Sequence, residues 1–271
     1  MEDVISEEIK KNILEEYNMR TFWNSLVVAF SLYSKIPMPN VELTEKNMKY
    51  SLCFFPFIGV LIGGILCGWN VAWPYLCNYN FLPAVVFVIV PIIISGGVHV
   101  DGFIDTVDAI CSHKPMERKL EILRDIHTGS FSLIITLSYF LIALGVWSEM
   151  PIDAVPVLAI GFVLSRALSG LAIIVFPHAK TSKLVEAYIE GAHKKIVLII
   201  MMVYIVVCAA MMCYLEPLYG SIGVFGAAIS FAYYYTAKKH FGGITGDVAG
   251  YFIQVCELVI PCAVLVAWKF L

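Results

Sequence analysis

The chain has 271 residues, 60% of them hydrophobic and 14% charged, with a formal net charge of −3. A soluble domain is nearer half apolar and a quarter charged, and here the apolar residues are gathered into long runs between short polar stretches. Such runs lack the polar faces that helices of a soluble core turn to water, and no basic tract points to nucleic acid as a partner.

In chain order, Met1 to Arg20 is acidic and of mixed charge, without the apolar core of a signal peptide. Ile5, Ile9, Leu14 and Tyr17 recur at helical spacing and predict an amphipathic surface helix. Residues 22–36 are apolar but short and end at Lys35 and the Pro37-Met38-Pro39 turn, so an interfacial or re-entrant segment is expected. Residues 1–49 thus form an N-terminal amphipathic and interfacial unit, and 50–271 a transmembrane catalytic domain. Seven spans follow, at about 50–76, 80–98, 131–148, 153–176, 196–215, 218–237 and 250–271, each near the ~20 residues that cross a bilayer. The connections near 77–80, 148–153 and 215–217 are tiny and hold no Lys or Arg. The longer stretches 37–49, 99–130, 177–195 and 238–249 carry the basic residues, among them Lys46, Lys114, Arg124, Lys194 and Lys239. Basic residues collect on the cytoplasmic side. The expected fold is therefore all-α: a polytopic integral membrane helical bundle in the cytoplasmic membrane, in contact with lipid, its polar loops inside. Its halves show no convincing repeat, which gives no support to an inverted-repeat transporter. The eight cysteines lie mostly in apolar runs and form no CxxC pair, so small buried hydrophobes are expected rather than zinc or disulfides.

The most informative stretch is Ser95-Gly-Gly-Val-His99-Val-Asp101-Gly-Phe-Ile-Asp105-Thr-Val-Asp108-Ala. Steps of four and then three place Asp101, Asp105 and Asp108 on one helical face, about one turn apart. Three carboxylates so placed repel unless a cation sits among them. Mg²⁺ suits the position, because it takes carboxylate oxygens, keeps some waters and is often completed by substrate phosphates. A solvated acidic face is the alternative, but these acids stand at the edge of a span, where ionisable groups tend to be functional.

Two further patches join the argument. Glu117, Glu121, Arg124 and Asp125 share a helical face, and Thr128-Gly129-Ser130 opens the next span, where backbone N–H groups at a helix start can hold phosphate. Gly242-Gly243-Ile244-Thr245-Gly246-Asp247 precedes the last span. Its Asp247 either joins the metal site or caps the helix. Inside the spans, Arg166 and Glu257 each need a partner; they pair with each other, or Arg166 reaches a substrate phosphate. His99, two residues before Asp101, is a candidate for direct chemistry, whereas the other histidines read as surface residues.

Gly96 to Ala109 resembles the GG-x-H-x-DG-x-x-DT-x-D-[AG] motif of the adenosylcobinamide-GDP ribazoletransferases, also called cobalamin (5′-phosphate) synthases. Glu117-Arg118, Glu121-Ile122-Leu123-Arg124-Asp125, Gly129 and Phe131 are similar to the family's next segment. Gly243-Ile244-Thr245-Gly246-Asp247 resembles its G-x-TGD segment, and Phe30, Lys35-Ile36-Pro37 and Phe55-Pro56-Phe57-Ile58-Gly59 resemble its first elements. The matching elements run in order from about residue 22 to 260. Two departures stand out: Lys35 where the family usually has Arg, and Pro177 to Leu184 where it tends to have R-x-x-GLG. The resemblance therefore assigns that loop no role.

The resemblance implies an Mg²⁺-dependent enzyme that joins adenosylcobinamide-GDP to α-ribazole, or to its 5′-phosphate, and releases GMP. Phosphoryl transfer is mostly positioning and charge neutralisation, here with attack by the ribose 5′-hydroxyl or by its counterpart on the 5′-phosphate substrate. Asp101, Asp105 and Asp108 are the expected principal metal ligands, Asp125 and Asp247 the candidates for a second site. Asp105 or His99 is the candidate base, and Arg124, Ser130, Thr245 and Arg166 are the candidate substrate contacts. The rivals are a CDP-alcohol phosphotransferase, whose D-x-x-DG-x-x-AR pattern this chain lacks, and a cation transporter, whose acids belong near the bilayer middle. The sequence leaves the oligomeric state open, a homo-oligomer included.

Overall fold

The computed structural model describes residues 19–76, 81–179 and 193–270. The amphipathic helix expected at 1–18 and most of the loop 177–195 lie outside the described residues. The described residues are helical almost throughout. In order they are α1 (19–33), α2 (Glu45–Met48), α3 (Phe55–Ala72), α4 (Phe81–Ser95), α5 (Val98–Cys111), α6 (Met116–Ile122), α7 (Ser130–Ser148), α8 (Val155–Val175), α9 (Lys194–Leu215), α10 (Pro217–Ser230), α11 (Tyr233–Phe241) and α12 (Gly246–Phe270).

Five helical stretches are long and apolar enough to cross a membrane: Glu45–Tyr75, Ser130–Ser148, Ile152–Val175, Lys194–Leu215 and Gly246–Phe270. A sixth arises only if α4 and α5, bent by 94°, are taken as one broken span. The expectation of seven spans differs at two places. The run 218–237 is two helices, α10 of 14 residues and α11 of 9, and 14 residues reach only ~21 Å. Hydropathy runs unbroken through the turn at Phe231 and Ala232, so the sequence gives no sign of it. The run 80–98 ends earlier, because Gly96 (φ 65°) and Gly97 (φ 79°) take left-handed backbone that L side chains avoid. There the chain leaves α4, and α5 continues as a separate 14-residue helix carrying three aspartates, outside the membrane-length set.

The core is built on α8, the most deeply buried span at 78%, whereas α7 and α9 are only 22% buried. Those two are apolar on nearly every side, with Leu137, Leu141, Val203 and Val206 exposed, as helices facing lipid should be. Helix α3 approaches α8 closely through Gly59 and Gly63, whose missing side chains admit the backbone at Phe162 and Ala159. Across the core, Arg166 of α8 donates to Glu257 of α12 at 2.7 Å, both nearly inaccessible. A charged pair at such depth persists because the attraction between the two ions offsets the cost of removing each from water.

The polar stretches expected on one side do gather at one end of the bundle. The His193 N–H donates to the Lys49 carbonyl at 3.1 Å, and the Ile244 N–H to the Pro177 carbonyl at 2.9 Å. Lys119 Nζ lies 2.6 Å from His240 Nδ1. Helix α1 belongs to the same end: Ser25 donates to the Asn47 carbonyl, and the Lys35 N–H to that of Ile94. At the far end, Lys269 pairs with Glu149 at 3.0 Å, and Asn70 donates to the Ile152 carbonyl at 3.1 Å.

Candidate active site

Helix α5 is the centre of the polar end. It packs against the N-terminal halves of α7 and α12, with Phe103 lying on Tyr139 of α7 and Tyr251 of α12 at ring separations of 5.0 and 5.5 Å. The opposite face presents the aspartates, as the four-and-three spacing predicts. Gly102 sets how near α12 comes: a Cβ there would lie 2.7 Å from the Asp247 carbonyl oxygen and 2.9 Å from its Cα. This backbone approach carries Asp247 to the α5 carboxylates. Thr245 caps α12, its Oγ1 accepting from the Val248 N–H at 3.1 Å. Between the two alternatives for the patch, capping thus falls to Thr245, and Asp247 is left facing the acids.

The carboxylates act on one another. Burial, then the charges of Asp101, Asp247 and Asp108, push the Asp105 carboxyl up to about 7. Asp108 is held at the start of α7: Ser132 Oγ donates to its Oδ1 at 3.3 Å, and Gly129 leaves room for the carboxylate beside the helix N-terminus, where a negative charge is favoured. Sequence reasoning singled out Ser130, which is exposed, and missed Ser132, which does the bonding. The signal was available, since Ser132 stands three residues after Gly129, the residue just before the helix.

Other candidates stand elsewhere. Asp125 is exposed in the turn after α6, where hydrogen bonds from His127, its backbone N–H first, hold it below the usual carboxylate range. The charges raising Asp105 do not include it. Arg124 lies on the same exposed turn. Arg166 is committed to Glu257 within the bundle, though its charge also bears on His99. His99 is buried at the start of α5, edge-on to Phe55. Lys35, at the departure from the family's usual Arg, lays its side chain across Gly96 at the α4–α5 break.

Beside the carboxylates is a cavity of about 210 Å³. Asp101 and Asp247 stand at its wall together with Tyr33, Phe55, Ile173 and Ile253. His99 and Ser169 also line it.

Among the described residues, no three His, Cys, Asp or Glu side chains form a ready-made metal cage. The donor chemistry nevertheless fits a hard divalent ion. Every group is a carboxylate, the set comes from two helices, and burial together with the neighbouring charges raises the Asp105 carboxyl to about 7. An ion completed by water and substrate phosphate needs only a few of these oxygens.

A polytopic membrane protein with an acidic, cavity-bearing site at one end of its bundle is the class that fold and site define. Residues 25–265 match the family model described as cobalamin-5-phosphate synthase. The chain is 43% identical over 245 residues to an adenosylcobinamide-GDP ribazoletransferase of Lachnoclostridium phytofermentans, covering 90% of this chain and 94% of that one. It is 33% identical to one of Clostridium botulinum, with coverage of 89% and 96%, and 28% identical to one of Shewanella amazonensis, with coverage of 93% and 99%. No solved structure is significantly similar. The chain belongs to the cobalamin-5-phosphate synthase family.

Proposed function

We propose that the protein joins adenosylcobinamide-GDP to ribazole or its 5′-phosphate at the cytoplasmic face of the cell membrane, releasing GMP. Family membership supports the reaction. The observation that carries its location is the convergence of Asp101, Asp108 and Asp247 on Asp105 beside a cavity. A ribose hydroxyl forms a new O–P bond to the corrinoid-linked phosphorus, the bridging P–O bond breaks, and GMP leaves with the electron pair. The phosphate at the 5-position in the family's name supports attack through a secondary ribose hydroxyl, not the 5′-hydroxyl expected from the sequence.

Asp101, Asp108 and Asp247 would hold Mg²⁺, which supplies neutralisation of the diphosphate charge. Ser132 and the start of α7 keep Asp108 in place. Asp105 is the candidate proton acceptor, since a base serves best when its pKa lies near the working pH and its carboxyl lies at about 7. The buried Arg166–Glu257 pair fixes α8 against α12 beneath the site.

Purified protein in liposomes, given adenosylcobinamide-GDP, ribazole and Mg²⁺, should release GMP and form the corrinoid product in equal amounts. Chelation should stop both, and added Mg²⁺ should restore them. Folded protein that makes neither product with either form of ribazole overturns the proposal.

A further inference from the structure

We infer that the cavity between α1, α5, α8 and α12 is the seat of the ribazole base. This inference rests on the reaction proposed above. His99 and Ser169 are 3% and 0% exposed, and both line the cavity. Among the described residues, His99 Nε2 and Ser169 Oγ have no hydrogen-bond partner. Buried polar atoms in native proteins are nearly always satisfied, and exceptions often mark a site that a ligand completes. These two orphans come from different helices and meet at one cavity, which an accident of packing does not require.

The rest of the wall says what the ligand is. Tyr33, Phe55, Ile173 and Ile253 make it apolar and partly aromatic, and the Tyr33 and Phe55 rings lie 4.4 Å apart. Among the described residues no Lys or Arg lines it, and Asp101 and Asp247 stand beside it, so a phosphate is poorly received. The corrin macrocycle is far larger than about 210 Å³. Guanine presents donors and acceptors around most of its edge, and the apolar part of this wall would leave several of them unmet. A benzimidazole riboside presents an apolar fused ring with a single free ring nitrogen, an acceptor. The Ser169 hydroxyl can donate to that nitrogen beside the His99 imidazole, while the ring fills the apolar volume. The attached ribose then emerges beside Asp101 and Asp247, where the proposed chemistry takes place.

The test is a split in Michaelis constants, read in liposomes with both substrates varied. Ser169→Ala removes one hydroxyl without adding bulk, and Ile173→Trp fills the cavity. Ser169→Ala should raise KM for ribazole roughly three- to tenfold, the effect of one lost hydrogen bond, and Ile173→Trp at least about tenfold. KM for adenosylcobinamide-GDP and the Mg²⁺ requirement should change less than about twofold. A ribazole analogue with CH in place of the free ring nitrogen should bind the wild type more weakly, and Ser169→Ala should narrow that difference. If wild type turns over but Ser169→Ala leaves KM for ribazole unchanged, or shifts KM for the corrinoid instead, the assignment is wrong while the reaction stands. If wild type gives no GMP from the two substrates, the reaction itself fails. Ribazole affinity that is indifferent to both variants but competed by lipid would make the cavity an acyl-chain site and overturn the inference.

Discussion

Gly102→Ala is the sharpest perturbation of the site, because it adds one methyl group and removes no charge. The new Cβ would stand 2.7 Å from the Asp247 carbonyl oxygen and 2.9 Å from its Cα. Both are backbone atoms on α12, so no side chain can swing aside. Reaching an ordinary contact of 3.4 Å needs about 0.7 Å of separation between α5 and α12. Overpacking of this kind costs about 1–3 kcal/mol. The larger effect falls on chemistry, since the shift moves Asp247 away from Asp101 and Asp105, and a misplacement near 1 Å costs on the order of 10²-fold in rate. Two other glycines grade the series. A Cβ at Gly250 would meet His99 backbone atoms at 3.3 Å, a strain of a few tenths of an ångström, and one at Gly145 would meet nothing within 4 Å. GMP release in liposomes should therefore fall steeply for Gly102→Ala, modestly for Gly250→Ala and not at all for Gly145→Ala, with membrane insertion and helical circular dichroism unchanged. Turnover and Mg²⁺ dependence within about twofold of wild type for Gly102→Ala would refute the view that Asp247 must abut α5.

Asp101→Asn, Asp105→Asn and Asp108→Asn should each lower GMP release by at least about 10²-fold while the protein still inserts; near wild-type release by all three removes the metal assignment. Turnover should fall along an acid limb lying at or below about pH 7, because Asp105 must be unprotonated to accept a proton, and burial and its neighbours raise its carboxyl to about 7. The cation lowers that value when bound, so a limb lying well above pH 7, or one retained in Asp105→Asn, contradicts the role. Arg166→Met or Glu257→Gln should lower stability by about 3–5 kcal/mol, since each leaves its partner charged and buried; thermal unfolding in detergent reads this. Replacing both residues with apolar ones should cost less than either single change, and equal losses would mean that the pair is not the stabilising unit.

Much of this site was legible because helical spacing is a one-dimensional signal. Asp101, Asp105 and Asp108 fall on one face whatever surrounds them, and their acidity against flanking apolar runs marks the end of a span. Arg166 and Glu257 were legible by need, since neither can stay charged alone in a bundle. What the sequence could not supply was distance between elements. Asp125 and Asp247 look alike as acids in polar stretches that lead into a span. Only the approach of α12 to α5 at Gly102 separates them, placing Asp247 in the field of Asp105 and leaving Asp125 on an exposed turn with His127. Ser169 gave no sign beyond being a small polar residue three positions after Arg166, because an empty cavity has no sequence pattern.

The interleaving of residues in α5 follows from these demands acting together. Gly96 and Gly97 end α4, so the acids stand at the end of the bundle rather than within it. Gly102 faces α12 and admits its first turn, and Phe103 anchors the side away from the acids on Tyr139 and Tyr251. A merely solvated acidic helix needs none of these: it tolerates a side chain at position 102 and no partner acid from α12. The backbone contact at Gly102 forces Asp247 toward carboxylates that repel it, a repulsion that the proposed cation would offset. The glycine, more than the aspartates themselves, therefore separates the convergent acids of the proposed metal site from a charged surface.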